Sequence, residues 1–561
     1  MPPVTVAAAQ FFSGADVADN VALCVRYLEE AAAAGAALVV LPENSNRVRD
    51  FTTREDAFAA AETVDGGFIT GLADAARRLG IYVAVGVDVR GARSPDVYIC
   101  SVLITAEGEV AGVVRKNVLW DYEYGLFVPG DEPYRVFETP FARLGLHLCA
   151  DGIVPETPRA LALGGAQVLC NSLNSRGPDE LRVHVPLRAM ENRVWHIAAN
   201  TVGGPANAWP WMGGSQIISP AGEQYAVASE LEAQLIVATI DPDVADDKTV
   251  PGIGSVVGRR RPDLYGLLTL PGDEVPAASM YGPAPADQPA RPVDVALLQV
   301  SHFPSAEWTV HRAVSQVAYA GARGADIGVL PAYFCFDRGE VATDPKGAAE
   351  RSAEALERLA AAAADAGIWV AAHLVEADGG HLYSTVHLID RTGAVAHRYR
   401  KTHLDESEAR WATPGDDLAV FETELGRIGV LVTDEIWVPE AARVLALGGA
   451  ELIIHPTDWD RIEAATVAAT ERTEENRVHL VSVNRLDSPG TIGSQVLINE
   501  PFRPNQPIAL MRYPTGQWTR YGFEEQLVVR LDLKDSHEKM MGHFLDPLAK
   551  RHPELYKIFV A

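Results

Sequence analysis

The chain has 561 residues, with 48 Lys and Arg against 75 Asp and Glu, a formal charge of −27. Hydrophobic residues make up 48% and charged residues 22%, the balance of a globular protein, which excludes disordered and fibrous classes. So acidic a chain lacks the clustered Lys and Arg that nucleic acid or an anionic membrane surface demands, and its length predicts two to four domains.

The first residues, MPPVTVAAAQFF, lack a basic start, and no stretch approaches the roughly 20 apolar residues of a membrane span. Val4–Gln10 is an apolar run of strand length. Asp16–Ala34 carries helical spacing and stops at Gly35, and Ala37–Leu41 is a second buried-strand run. Further on, Leu144–Cys149 reads as a strand, Glu156–Leu163 as a helix stopped by Gly164-Gly165, and Ala166–Cys170 as the next strand. Strands alternating with helices predict an α/β layered domain, and in such layouts chemistry collects at strand ends, where Glu43 and Cys149 lie.

The chain repeats itself. LALGGA occurs at Leu161–Ala166 and again at Leu445–Ala450, an offset of 284 that also pairs Pro155-Glu156 with Pro439-Glu440 and Glu191-Asn192 with Glu475-Asn476. Upstream, Arg115-Lys116 pairs with Arg400-Lys401 and Leu41-Pro42 with Leu330-Pro331. So many matches in one order mean a tandem duplication. We expect one copy over residues 1–270, a Pro/Ala-rich semi-extended linker over 271–292, and a second copy over 293–561.

Five cysteines in so long a chain form no CxxC pair and no disulfide framework, which predicts a reducing, cytosolic setting. A lone buried Cys is ordinarily core filler. Cys149, however, precedes a Pro155-led helix, whose dipole is expected to favour thiolate. Glu43, Lys116 and Glu123 each read singly as surface charges. Together the four make an acyl-transfer set: a thiol, a carboxylate base, a cation for the oxyanion, and a second carboxylate to hold the cation.

The order Leu-Pro-Glu43, Arg-Lys116, Glu123 ahead of Pro129-Gly130-Asp131, and Cys149-Ala-Asp before Pro155-Glu156 resembles the nitrilase or carbon–nitrogen hydrolase superfamily. Arg159 ahead of LALGGA, Glu191-Asn192 and Ala199-Asn200 fit as well. The resemblance covers nearly the whole chain, once per copy. It implies two αββα sandwiches, with Glu43 as general base, Cys149 as nucleophile, Lys116 and the Ala150 N–H at the oxyanion, and Glu123 in support. No metal or organic cofactor is expected.

In the second copy Lys401 and Glu408 keep the seven-residue gap, but Ala332 stands at the base position and Thr433 at the nucleophile. Cys335 lies too near Ala332 to replace the thiol. This copy reads as catalytically inactive. Because relatives in the family pair subunits through helical faces, the resemblance implies an intramolecular pseudo-dimer, with further homo-oligomerisation open; a ligand-binding or regulatory role for the second copy is the rival, for which the sequence offers no separate constellation.

Ile153, four residues past Cys149, is neutral where carboxylate-binding relatives often carry Arg, which favours an amide with an uncharged tail. Asn174, Arg176 and Tyr124 are further candidate substrate contacts, and Arg176 leaves a cation available. The leading expectation is an amidase forming an acyl-thioester on Cys149. A nitrilase or an N-carbamoyl amide hydrolase are the alternatives, and a non-catalytic module is the reading from another class.

Overall fold

A computed structural model describes residues 2–204, 210–282, 289–303, 305–337, 339–502 and 514–561. Each copy holds two six-stranded sheets, counted among these residues. In the first copy one sheet runs Gln234–Ile240, Val4–Gln10, Leu38–Val40, Tyr82–Arg90, Val97–Ile104, Val110–Arg115, and the other Gln224–Val227, Gln216–Ile218, Trp195–Ala199, Val168–Ser172, Arg143–Leu148, Val136–Glu138. The second copy repeats both orders, from Glu525–Asp532 and Pro292–Gln299 through to Gln495–Ile498 and Thr515–Trp518. The central strands of each sheet are parallel.

Period-two alternation sorts the layers. Along the first strand Val6 and Ala8 face the other sheet, joining Leu144, Leu146, Val168 and Cys170. Ala7 and Ala9 face outward into a cluster with Cys24 and Leu28 of helix Val17–Ala33 and Phe68 and Leu72 of helix Gly67–Leu79. The result is the expected helix, sheet, sheet, helix sandwich. Helix Val17–Ala33 begins where Asp16 accepts the Asp19 N–H.

The helices outside the second sheet, Glu156–Leu163 and Val185–Asn192, meet their counterparts Pro439–Leu447 and Ala469–Asn476. Ala160, Leu187 and Met190 share one apolar cluster with Ala441, Val444 and Leu445. Arg159 pairs with Glu440 at 2.8 Å, and its counterpart Arg443 pairs with Glu156 at 3.0 Å. Chain ends cross over as well: Arg261 donates to the Gly415 carbonyl at 2.7 Å, and the His552 ring lies 3.0 Å from the Asn117 carbonyl. The Arg259–Arg261 triplet is thus a cross-copy clamp, with Arg259 on Asp434 and Arg260 on Glu440.

The segment read as a semi-extended linker differs from that expectation over its first part. Pro276–Met280 forms a helical turn whose Ala277 and Met280 are buried with Val275 against the second copy. Small Ala side chains and a Pro at the first helical position suit a packed turn as well as an extended chain. Residues 283–288 of the linker lie outside the described residues. Among those described, no helix is long and apolar enough to cross a membrane.

Candidate active site

Three strand ends of the first copy converge. Glu43 follows strand Leu38–Val40, Lys116 follows Val110–Arg115, and Cys149 follows Arg143–Leu148. Gly86 lets the Glu43 backbone close in, since a Cβ there would stand 2.5 Å from Glu43 Cα. The Glu43 N–H donates to the Leu173 carbonyl at 3.1 Å, and the Gly130 N–H to the Lys116 carbonyl at 2.7 Å, which accounts for the Pro-Gly-Asp element.

Lys116, fully buried, donates to Glu43 Oε1 at 2.9 Å and to Glu123 Oε2 at 2.8 Å. An ammonium has three donors, so one remains. Glu123, which read singly as a surface charge, sits buried on a single helical turn, Asp121–Gly125, where it also accepts the Trp120 N–H at 2.7 Å. Cys149, buried, has a positive φ of 39° at the bend that turns its side chain out of the sheet. Its N–H donates to Asn171 Oδ1 at 3.1 Å. Asp151 accepts the N–H groups of Leu148, Asn117 and Val118 at 3.2, 3.0 and 2.8 Å, so one carboxylate ties the lysine strand to the thiol turn.

The two glutamates are driven apart electrostatically. Burial raises the Glu43 carboxyl above its ordinary range, with Lys116 and Arg49 opposing. Burial opposes ionisation of Glu123 too, but there Lys116, Arg49 and the Trp120 N–H prevail and hold it low. Two carboxylates pushed in opposite directions are the electrostatic pattern that an acid–base pair requires. Lys116 stays cationic, because Glu123 and Glu43 outweigh its burial. Burial pushes the Cys149 thiol up, and Lys116 only partly offsets this. The expected help from a helix dipole does not arise: Cys149 opens a four-residue turn, and the helix begins only at Glu156. A dipole acts within about one turn of its end. A thiol so placed needs a base to ionise.

Arg49 belongs to the site and was not foreseen. It pairs with Glu123 at 2.5 Å and Asp88 at 2.9 Å and lies 3.8 Å from Glu43. One sequence signal existed: the offset that pairs Pro42 with Pro331 also pairs Arg49 with Arg338. Of the proposed substrate contacts, Ile153 is buried with Ala150 and Val118 against Met541 and Leu545 of the second copy, and Tyr124 packs beside them. Arg176 stacks over Trp211, 3.8 Å from its ring centre, and Asn174 is half-buried on the same loop. The second copy also reaches Asp121, which accepts the Phe544 N–H at 2.8 Å.

In the second copy, Thr433 keeps the positive φ, 47°, but Lys401 is saturated. It donates to Glu408, to Thr433 Oγ1 at 2.8 Å and to Asp434 Oδ1 at 2.5 Å. Asp434 stands where the first copy has Ala150, so an anion replaces the apolar side chain beside the oxyanion position. Tyr333, next to Ala332, places its hydroxyl 2.7 Å from Ser384 Oγ and 3.0 Å from Glu408 Oε1.

Residues 5–248 and 294–484 match the carbon–nitrogen hydrolase family. The chain belongs to that family, twice over. A nitrilase of Pyrococcus abyssi is 34% identical over 247 residues, covering 44% of this chain and 92% of the relative. The N-carbamoylputrescine amidase of Arabidopsis thaliana is 31% identical, covering 48% and 97%. The human deaminated glutathione amidase is 30% identical, covering 47% and 85%. A solved structure of an amidase from Nesterenkonia sp. AN1 with butyramide is 27% identical, with a TM-score of 0.39, covering 44% of this chain and 93% of that one. Its relatives place the chain among the enzymes of the nitrilase superfamily, with tandem copies.

Proposed function

We propose that residues 1–270 form a cysteine-dependent amidase and that residues 293–561 are an inactive copy. The observation that carries this is Lys116 held between Glu43 and Glu123 with one donor left over. Glu43 takes the thiol proton as Cys149 Sγ attacks the amide carbon. The tetrahedral oxyanion forms against the third Lys116 donor and the Ala150 N–H. Glu43 then returns the proton to the departing nitrogen, which releases ammonia or an amine and leaves an acyl-thioester. Water, deprotonated by Glu43, hydrolyses it to the carboxylic acid. Glu123 keeps Lys116 charged and oriented throughout.

The apolar surround of Ile153 supports an amide with an uncharged tail. Two of the three named relatives are amidases, which also favours amide over nitrile. A panel of primary amides, nitriles and N-carbamoyl compounds, read as ammonia release and as acyl mass on Cys149, tests this. Turnover of nitriles alone, or an adduct on another residue, would overturn it.

We further propose that the second copy takes the place of a partner subunit. The reciprocal Arg159–Glu440 and Arg443–Glu156 pairs and the shared apolar cluster support that arrangement, since an isologous contact repeats each pairing in both directions. Five free, buried cysteines fit a cytoplasmic location.

A further inference from the structure

The inactive copy keeps a cavity of about 330 Å³ at the place of its lost active site, within the range of small-molecule pockets. Its chemistry has changed. At the offset of 284, Ala150, Asn174 and Arg176 of the first copy become Asp434, Asp458 and Asp460. With Asp337, Asp405 and Glu408, six carboxylate side chains line the cavity beside Arg485; four of them also bind groups outside the lining, Glu408 and Asp434 on Lys401, Asp434 on Arg259, Asp460 on Arg461 and Asp337 on the His302 ring. Arg485 is itself bound through both arms to Asp487 at 2.8 and 2.9 Å. Tyr333, Trp411 and Trp459 supply aromatic surface on the same walls. Pro251, Gly252 and Ile253 close one side from the first copy.

Two further lining side chains point to an occupant. Thr457 and Trp459 are each 1% exposed, and their Oγ1 and Nε1 atoms are buried without a hydrogen-bond partner among the described residues. Buried polar atoms are nearly always satisfied, so such a pair beside a cavity calls for a ligand or solvent there. Trp Nε1 only donates and therefore needs an acceptor; Thr Oγ1 does either.

We propose that this cavity is a second, non-catalytic binding site for a small organic ammonium ion that also carries an acceptor oxygen. The ammonium would sit among the carboxylates and against the aromatic faces, where cations are attracted to ring quadrupoles. Asp405 is the best-placed anchor: one oxygen accepts the N–H groups of Ser407 and Glu408, both at 2.8 Å, and the other lies 4.0 Å from Lys401. A metal ion at Asp405, Glu408 and Asp434 is disfavoured, because Lys401 already stands between the last two.

Calorimetric titration of the full chain tests the site, with tyramine as probe and its analogue bearing a carboxylate for the ammonium as control. Tyramine is expected to bind once per chain and to bind equally in Cys149→Ala, which separates this site from the catalytic one. Asp405→Asn and Trp411→Leu should each weaken it at least tenfold, the second serving if the first fails to fold. Absence of saturable binding, equal binding of the carboxylate, unchanged affinity in both variants, or binding of Mg²⁺ in place of tyramine would each overturn the proposal.

Discussion

Arg188 of the first copy pairs with Glu471 at 2.5 Å and Glu475 at 2.8 Å of the second, with all three side chains wholly buried. Its counterpart Arg472 reaches back to Glu191. Arg188 also pairs with Glu191 of its own copy at 2.7 Å and Arg472 with Glu475 of its own, so each copy meets part of the charge and the pairs across the contact complete it. Arg188→Met would take one buried cation from Glu191, Glu471 and Glu475, leaving Arg472 to serve Glu191 and Glu475 and His184 to serve Glu471. Loss of one member of such a network costs about 3–5 kcal/mol, and denaturant unfolding should show that loss.

Cys149→Ala is expected to lower kcat roughly a thousandfold or more, as removal of a nucleophile does. Cys335→Ala, in the core of the second copy, should leave turnover within about twofold, because a small buried thiol there is packing. Steady-state ammonia release compares them.

Arg49→Met should move the acid limb of the kcat/KM profile to higher pH. The Arg49 cation lowers the Glu43 carboxyl, so removing it lets burial raise Glu43 further, and the base is lost at a higher pH. Lys at this position should restore part of the shift, which a merely structural role would not predict. A pH–rate profile of each variant measures it.

Alkaline conditions should loosen the contact between the copies. Burial disfavours the His184 cation, but Glu471 and Glu474, with Asp179, outweigh it and place its pKa well above 6.5. Arg188 pairs with Glu471 beside it and acts in the opposite sense. A raised folded pKa contributes stability that is full below the unfolded value and fades as pH climbs through the folded one. Tm should therefore fall on the alkaline side, and His184→Gln should lower Tm at neutral pH and flatten that fall. Melting curves across pH read both.

Gly542→Ala tests whether the second copy shapes the catalytic pocket. A Cβ there would meet the Asp121 carboxylate at 2.7–2.8 Å and push back the segment whose Met541 and Leu545 pack on Ala150 and Ile153. We expect about a tenfold fall in kcat/KM, as ångström-scale misplacement of a positioned group costs this much or more.

Duplication, layer order and the meeting of Glu43, Lys116 and Glu123 were legible because each leaves a repeated or spaced mark. Leu161–Ala166 recurs letter for letter, and Glu43 and Cys149 each follow or end an apolar run of strand length. Arg49 was overlooked because a charge in the polar run after Asn44 looks solvated until the fold buries it. The thiol's electrostatics went astray for a similar reason: spacing to Pro155 suggested a dipole, while the intervening turn removed it. Pro276–Met280 looked like a spacer because composition does not say what a small residue packs against. The acidic cavity of the second copy stayed hidden because Asp337, Asp405 and Asp458 come from separate loops.

In a symmetric dimer every substitution is made twice, so no contact can be tuned on one side alone. Here His184 faces Glu471, while the residues at the mirrored positions are Ala468 and Leu187. One gene carrying both halves can keep such a contact on one side of the axis and leave the other side apolar, whereas identical chains would have to make it twice or not at all.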